Sequence, residues 1–301
     1  MIKGISNKIS KRWLIIGTSV LVVLAVAGFV WLQSIRTHEL EIYVMNVPGT
    51  PAVLIRTPND KRILINGGSN SEIIKRLTDT LPFYSKHLDM VIAAEPNGKA
   101  TSGLIDVLNR YLVDRAGIVA DVQNTPTDIV YDTFLKTLHD LKIKTQEFHT
   151  SNEIFFDNDT PDSEATSEVT TKADILFPAE PKDFQYSNAS VPEIIMRIKY
   201  DETSILLTGH ASQKVQKYIA SKIKDPSDVL VAFNSAANSN LARELIASTS
   251  PTYLIYKVTK EPTKEKTSNL AGILQENRFN IHETGTVKIV SDGKTIKIKN
   301  I

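Results

Sequence analysis

The sequence predicts an α/β (α+β) chain, in which mixed β-sheet carries helices on its outside, behind one N-terminal transmembrane helix. Three observations lead there. The first 36 residues are basic and then apolar for the length of a membrane span. The body that follows opens and closes on hairpin-type strands and alternates strand with helix between them. Of the chain's 301 residues 42% are apolar and 23% charged, which suits a folded chain with a sizeable core and not a disordered one.

Trp13 to Leu32 is apolar but for Thr18 and Ser19, whose hydroxyls a helix satisfies internally. Twenty residues at about 1.5 Å each cross a hydrocarbon layer of roughly 30 Å. Trp13 and Trp31 fall at the two ends, where an aromatic belt places them. Lys3, Lys8, Lys11 and Arg12 precede the segment and only Arg36 follows it closely. The positive-inside rule then leaves the N-terminus in the cytoplasm and exports the body. Ala25-Val26-Ala27 matches a signal-peptide cleavage site, but the apolar run continues past it, which favours an uncleaved signal anchor. The expected organisation is therefore residues 1–36 as basic tail and anchor, and residues 37–301 as one exported domain on a single-pass cell-membrane protein.

Within the body, Glu39 to Val47 reads as a strand with Leu40, Ile42 and Val44 on one face. Ala52 to Arg56 and Ile63 to Ile65 read as a hairpin joined by Pro58-Asn59-Asp60-Lys61. Asn66-Gly67-Gly68 stops it, and a helix is expected from Ser71 to Asp79. Then come a strand at Met90 to Ala94, a helix at Thr101 to Tyr111, a strand at Gly117 to Ala120, a helix at Thr127 to Leu141 and a strand at Ile143 to Phe148. Asp157 to Lys172 has one valine and no other large apolar residue, and reads as an exposed loop. Ala173 to Phe177, Pro192 to Tyr200 and Ser204 to Thr208 read as strands. A helix (Ala211 to Ile223), a strand (Asp228 to Ala232), a helix (Asn240 to Ala247) and a strand (Thr252 to Lys257) follow. Beyond a polar segment, a helix is expected near Ser268 to Glu276 and strands at Phe279 to His282, Thr286 to Val290 and Thr295 to Ile298.

Composition excludes several chemistries. There is no cysteine, hence no disulfide, thiolate metal site or cysteine nucleophile. No G-x-S-x-G elbow or Walker A loop occurs. The six histidines stand far apart, so no H-x-H or H-E-x-x-H pair exists. Residues 37–301 hold 30 basic and 34 acidic side chains, a mildly acidic balance that argues against a broad nucleic-acid surface.

The order of strands, glycine turns and helices nevertheless resembles the metallo-β-lactamase superfamily, and in particular the extracytoplasmic domain of ComEC-type DNA-uptake (competence) proteins. The residues that carry the resemblance are Asn46-Val47-Pro48-Gly49-Thr50-Pro51, Ile63-Leu64-Ile65-Asn66-Gly67-Gly68, Ala94 through Leu104, Asn188-Ala189-Ser190, Leu206-Leu207-Thr208-Gly209-His210 and Val231 through Ala236. They follow in the family's order from Glu39 to the end of the chain. The resemblance implies an αββα sandwich and, in its active members, a two-metal hydrolase site.

Every position the family uses for metal is changed here. The H-x-H-x-D-H loop reads Glu95, Asn97, Lys99 and Ala100; the bridging Asp is His210; the later paired His are Phe233 and Asn234; the Asp before Gly-Gly is Asn66. Lys99 would put an ammonium among the metals, and Ala100 and Phe233 offer no donor. The expectation is a scaffold without catalytic residues, metal or other cofactor, serving as a non-catalytic binding or accessory protein for an unidentified protein or ligand, and anchored in the lipid bilayer through residues 13–32. On this reading Glu95 pairs with Lys99, and His210 caps or packs under the following helix. The alternative is a residual metal-dependent hydrolase of phosphodiesterase or nuclease type, holding one cation weakly through Glu95, Asn97 and His210. Nucleic acid is a partner that the family resemblance allows and the charge balance does not support.

Overall fold

The computed structural model describes residues 16–24, 28, 39–82, 84–120, 128–150, 152–157, 170–186, 192–233, 241–258, 270 and 272–301. The chain forms two compact units, Met1–His38 and Glu39–Ile301. In the first, residues 16–24 and 28 are helical, and Leu21, Val23 and Leu24 are each at least 65% exposed. Among the described residues no helix is long and apolar enough to cross a membrane. The rest of the expected 13–32 span lies outside them.

The second unit holds two sheets. Strands β1 (Leu40–Met45), β2 (Ala52–Arg56) and β3 (Arg62–Ile65) form antiparallel ribbons, as the turn chemistry predicts. β4 (His87–Ile92), β5 (Leu112–Val119) and β6 (Lys144–Phe148) add in parallel, each reached through a helix: α1 (Glu72–Thr80), α2 (Gly98–Leu108) and α3 (Ile129–Asp140). The second sheet begins antiparallel with β7 (Glu153–Phe155), β8 (Thr171–Phe177), β9 (Ile195–Tyr200) and β10 (Thr203–Gly209). It continues in parallel through α4 (Gln213–Lys222), β11 (Val229–Ala232), α5 (Arg243–Thr249), β12 (Tyr253–Tyr256) and β13 (Arg278–Asn280). The one-turn helix α6 (Ile281–Thr284) returns the chain to the first sheet, where β14 (Thr286–Ser291) pairs with β1 and β15 (Ile296–Asn300) forms the edge.

Period-two alternation then fixes which side chains meet. Ile42, Val44, Ile55, Ile63, Met90 and Ile92 of the first sheet pack against Ile175, Met196, Ile198, Ile205 and Val231 of the second. Outside the first sheet Leu64, Leu88 and Val91 lie under Leu77, Leu104 and Phe134. Outside the second, Leu206 and Leu230 lie under Val215, Ile219 and Leu245. The layers therefore run helix, sheet, sheet, helix. A fully buried side chain of this size contributes about 1.5–3 kcal/mol, so the central layer is the main source of stability.

Several boundaries differ from those expected. α2 starts at Gly98, not Thr101, because Asn97 caps it, its Oδ1 accepting from Ala100 N at 3.2 Å. β7 was not expected, and Thr171 and Lys172 belong to β8 and not to the preceding loop, most of which lies outside the described residues. No α-helix forms between 272 and 276. Gln275–Asn277 is a 3₁₀ turn, the Arg278 guanidinium donates to the carbonyls of Leu270 and Ile273, and residues 268, 269 and 271 of the expected helix lie outside the described residues. His282 lies in α6, not in a strand, because the Asn280 side chain accepts its backbone N–H and starts a helical turn.

One contact positions the loops at the C-terminal end of the first sheet. The Asn66-Gly67-Gly68 turn lies flat on α2: Gly67 N donates to Ala100 O at 2.7 Å and Gly103 N to Gly68 O at 3.0 Å. A Cβ on Gly103 would fall 2.7 Å from Gly67 C and 2.8 Å from Asn70 O, both backbone atoms. Gly103→Ala is accordingly expected to lower stability by about 2 kcal/mol or more in urea unfolding. Gly272→Ala, where nothing lies within 4 Å, is the control and should leave the midpoint unchanged.

Candidate functional site

Each parallel strand ends at the same edge of the sandwich, and the loops that leave there bring the expected positions together. Glu95 follows β4, His210 follows β10 and Phe233 follows β11. Open α/β folds place their sites outside such strand ends. The two sheets also join here, where Ile194 N donates to Ala94 O at 2.7 Å.

Glu95 is 7% exposed and its carboxylate is fully engaged. Oε1 lies 2.9 Å from His210 Nδ1. Oε2 accepts from Thr50 Oγ1 at 3.1 Å and from Asn97 Nδ2 at 3.4 Å. His210 is half-buried, its ring tilted against Phe233 with centroids 5.9 Å apart. Asn97 spends its remaining polar atom on the cap of α2. Asn66 stands in the left-handed region that asparagine tolerates (φ 57°), and its Oδ1 accepts from Ala94 N at 2.9 Å. Ala100 and Phe233 are buried without a donor atom to offer, and Asn234 lies outside the described residues.

Two expected contacts are corrected. Glu95 does not pair with Lys99, whose side chain is exposed and whose carbonyl accepts from Thr50 N at 3.0 Å. Lys99 is the second residue of α2 and is carried outwards, while Glu95 is turned into the interior by three donors. His210 does not cap α4; Ser212 does, its Oγ accepting from Val215 N at 3.4 Å.

Glu193 was missed by sequence reasoning. It is 9% exposed, just ahead of β9, and shares the interior with Glu95. Burial raises its pKa well above the ordinary carboxylate value, the Glu95 charge adds to the rise, and a hydrogen bond from the His210 backbone N–H opposes it. Gly209 (φ +53°) lies between the two acids: a Cβ there would be 3.4 Å from Glu193 Oε2 and 3.4 Å from Glu95 Oε1. The available signal was a lone acid inside the apolar run Val191 to Met196. Lys257 was also missed as a site residue. Its Nζ donates to Val47 O at 2.7 Å and Gly49 O at 3.2 Å, strapping the loop that carries Thr50. Burial pulls its pKa below the usual lysine value, and the Glu72 charge opposes that.

These residues do not fit a two-metal centre. Such a centre needs free imidazole and carboxylate atoms about 2.0–2.2 Å from each ion. Both Glu95 oxygens, the Asn66 and Asn97 oxygens and His210 Nδ1 are already engaged. Among the described residues, the one trio of His, Asp or Glu atoms close enough to share a cation is His87, Asp89 and Asp114, at the opposite end of β4 and β5. There Asp89 is held by Lys61 Nζ at 3.2 Å and by Arg62 N at 2.9 Å.

Glu193 gives the site a pH signature. Near pH 4 the native and unfolded chains both hold its proton, and it does not penalise folding. Above its unfolded value, near 4.5, the unfolded chain releases the proton while the native one retains it, so stability falls as pH rises towards the raised native value. Glu193→Gln removes this dependence. Urea unfolding should show the variant close to wild type near pH 4 and more stable by about 1 kcal/mol or more near pH 8.

No protein-family model matches the chain, and no curated protein matches it. Solved structures do. The metallo-β-lactamase fold protein YhfI from Bacillus subtilis is 16% identical over 78% of this chain and 95% of its own, with a TM-score of 0.51. The Rm3 metallo-β-lactamase is 12% identical over 65% of this chain and 76% of its own, with a TM-score of 0.38. The long form of RNase Z from yeast is 12% identical over 76% of this chain and 39% of its own, also at 0.38. At these identities the likeness is one of fold, and it is the YhfI match that carries it: the body has the metallo-β-lactamase fold.

Proposed function

We propose that this chain is a membrane-anchored, extracytoplasmic metallo-β-lactamase-fold protein that has lost its metal ligands and acts as a non-catalytic binding or accessory protein. The observation that carries the reading is the closed state of the site: Glu95 and His210 are bonded to each other at 2.9 Å, where the resemblance calls for metal ligands. Ala100 and Phe233 fill two further ligand positions with apolar side chains. Glu193 beneath them favours its neutral form, which offers a cation no charge. Without a metal there is no Lewis acid and no activated water, and no side chain at the site replaces either.

The apolar span 13–32 and the basic residues before it support the anchor and its orientation, N-terminus in the cytoplasm. The resemblance to ComEC-type domains supports an accessory role beside a transport or uptake system. The mildly acidic body makes a protein or small ligand a better partner than nucleic acid. A second reading, a metal-dependent phosphodiesterase, rests on the proximity of Glu95, Asn97 and His210, and would require the ion to displace their mutual hydrogen bonds.

Metal analysis by mass spectrometry separates the two. The full chain is purified in detergent without chelator and then challenged with zinc and with manganese. Less than about 0.1 equivalent is expected under either condition. Half an equivalent or more, lost in Glu95→Ala or His210→Ala, would overturn the proposal. The anchor has its own test. The full chain should stay in the membrane fraction through high salt and alkaline washing, and a chain lacking residues 1–36 should leave it. Release of the full chain by salt alone would exclude a spanning anchor.

A further inference from the structure

The two sheets end in four edge strands, and β15 differs from the other three. β7 and β13 are three residues long. β6 holds a single apolar residue, Phe148. β15 alternates, with Ile296 and Ile298 packed against the core between the sheets and Lys297 and Lys299 exposed on the other face. Its register fixes which backbone groups are left over. Ile301 N donates to Thr286 O and Asp292 N to Thr295 O, so the odd-numbered residues of β15 bond to β14. The N–H and C=O groups of Ile296, Ile298 and Asn300 therefore point away from the sheet, and no described strand pairs with them. Such a row is a template for a further strand.

The side of the sandwich beside this edge is apolar. β6 runs into β7 through residues 149–152, which puts those two edges on one side and leaves β13 and β15 on the other. Among the described residues, the partly exposed side chains of the inter-sheet core are Ile296 and Ile298 of β15, Tyr253 of β12 and Phe279 of β13. The two rings stand 6.5 Å apart. On the outer face the charge is unbalanced. Lys299 lies across from Lys288, whose ammonium is taken by Glu41 at 2.6 Å. Asp292 is close enough to Lys297 to feel its charge, but its carboxylate is occupied by Lys294 N, Thr295 N and Thr295 Oγ1. Neither Lys297 nor Lys299 forms an ion pair among the described residues.

Those two lysines select the occupant. Every antiparallel register that pairs β15 with a second copy of itself and keeps the isoleucines inward sets lysine opposite lysine, which is destabilising. A strand with acidic residues at those positions gains opposite-charge pairs instead. We propose that β15 is the docking edge for an extended segment of a partner protein in which apolar residues alternate with acidic ones. The segment's backbone pairs with Ile296, Ile298 and Asn300, its apolar side chains continue the inward row of Ile296 and Ile298, and its carboxylates meet Lys297 and Lys299. This gives the proposed binding role a partner chemistry, but it rests on the edge alone and stands even if the Glu95–His210 site takes up metal.

Fluorescence anisotropy tests it, with the full chain in detergent, the signal of detergent alone subtracted, and two short labelled peptides. In one Glu and Val alternate, in the other Lys and Val. The Glu–Val peptide is expected to bind with a Kd of about 0.1 mM, more weakly as salt is raised, and the Lys–Val peptide not at all. Lys297→Glu combined with Lys299→Glu should reverse that preference. Asn300→Pro removes an N–H that β14 does not use, at the kind of edge position where proline is tolerated. It should weaken the Glu–Val peptide about tenfold and leave the melting temperature unchanged. The proposal is overturned if the Glu–Val peptide does not bind with the chain at about 1 mM, if both peptides bind equally, or if neither the charge reversal nor Asn300→Pro alters binding. A dimer in sedimentation that Asn300→Pro dissolves would also overturn it, by giving the edge to a second copy.

Discussion

The candidate site depends on one seam, the place where the two sheets are tied at their common edge. Ile194 N donates to Ala94 O, and directly beyond that bond Glu95 from the first sheet meets His210 from the second. The residues that frame the pair are set by the same seam. Thr50 reaches Glu95 because Lys257 and the Lys99 carbonyl hold its loop; Asn97 reaches it because it caps α2; Glu193 sits beneath because it immediately precedes the tied Ile194. A half-buried pair of this kind gives little net stability once desolvation is counted. Its effect is specificity: it fixes which loops face each other across the seam, and it consumes the atoms a metal would need.

Two carboxyls share this interior with different partners. Glu95 is held by Thr50, Asn97 and the His210 imidazole. Glu193 has deep burial and a negative neighbour, which favour the neutral form, and one backbone N–H, which opposes them. Glycine at 209, at a positive φ and between both acids, lets the chain turn from β10 into His210 in that narrow space. A neutral Glu193 lets two acids share an interior without repelling each other.

Much of the fold was legible because it follows from periodicity. Alternation along β1 put Leu40, Ile42 and Val44 on one face, the one that packs between the sheets, and the Pro58-Asn59-Asp60-Lys61 and Asn66-Gly67-Gly68 turns marked real changes of direction. What escaped depended on side chains far off in sequence or on polar satisfaction. α2 begins at Gly98 because of a cap, a signal weaker than the apolar stripe that starts at Thr101. The segment before Arg278 looks helical in composition, yet its described residues hold a 3₁₀ turn at Gln275–Asn277, and the Arg278 guanidinium bonds the Leu270 and Ile273 carbonyls. β7 is three residues long, with Ile154 alone of them buried, too short for alternation to register.

The positions that gather at the seam were legible in the sequence, and their contacts were not. Donor chemistry alone shows that Ala100 and Phe233 cannot hold an ion, and that conclusion needs no coordinates. Chemistry alone does not say where Glu95 turns. Its nearest cation in sequence is Lys99, four residues on, and helical spacing would put the two on one face. The helix, however, begins only at Gly98, so Glu95 precedes it and obeys no helical spacing; the seam, not local sequence, selects His210, 115 residues away.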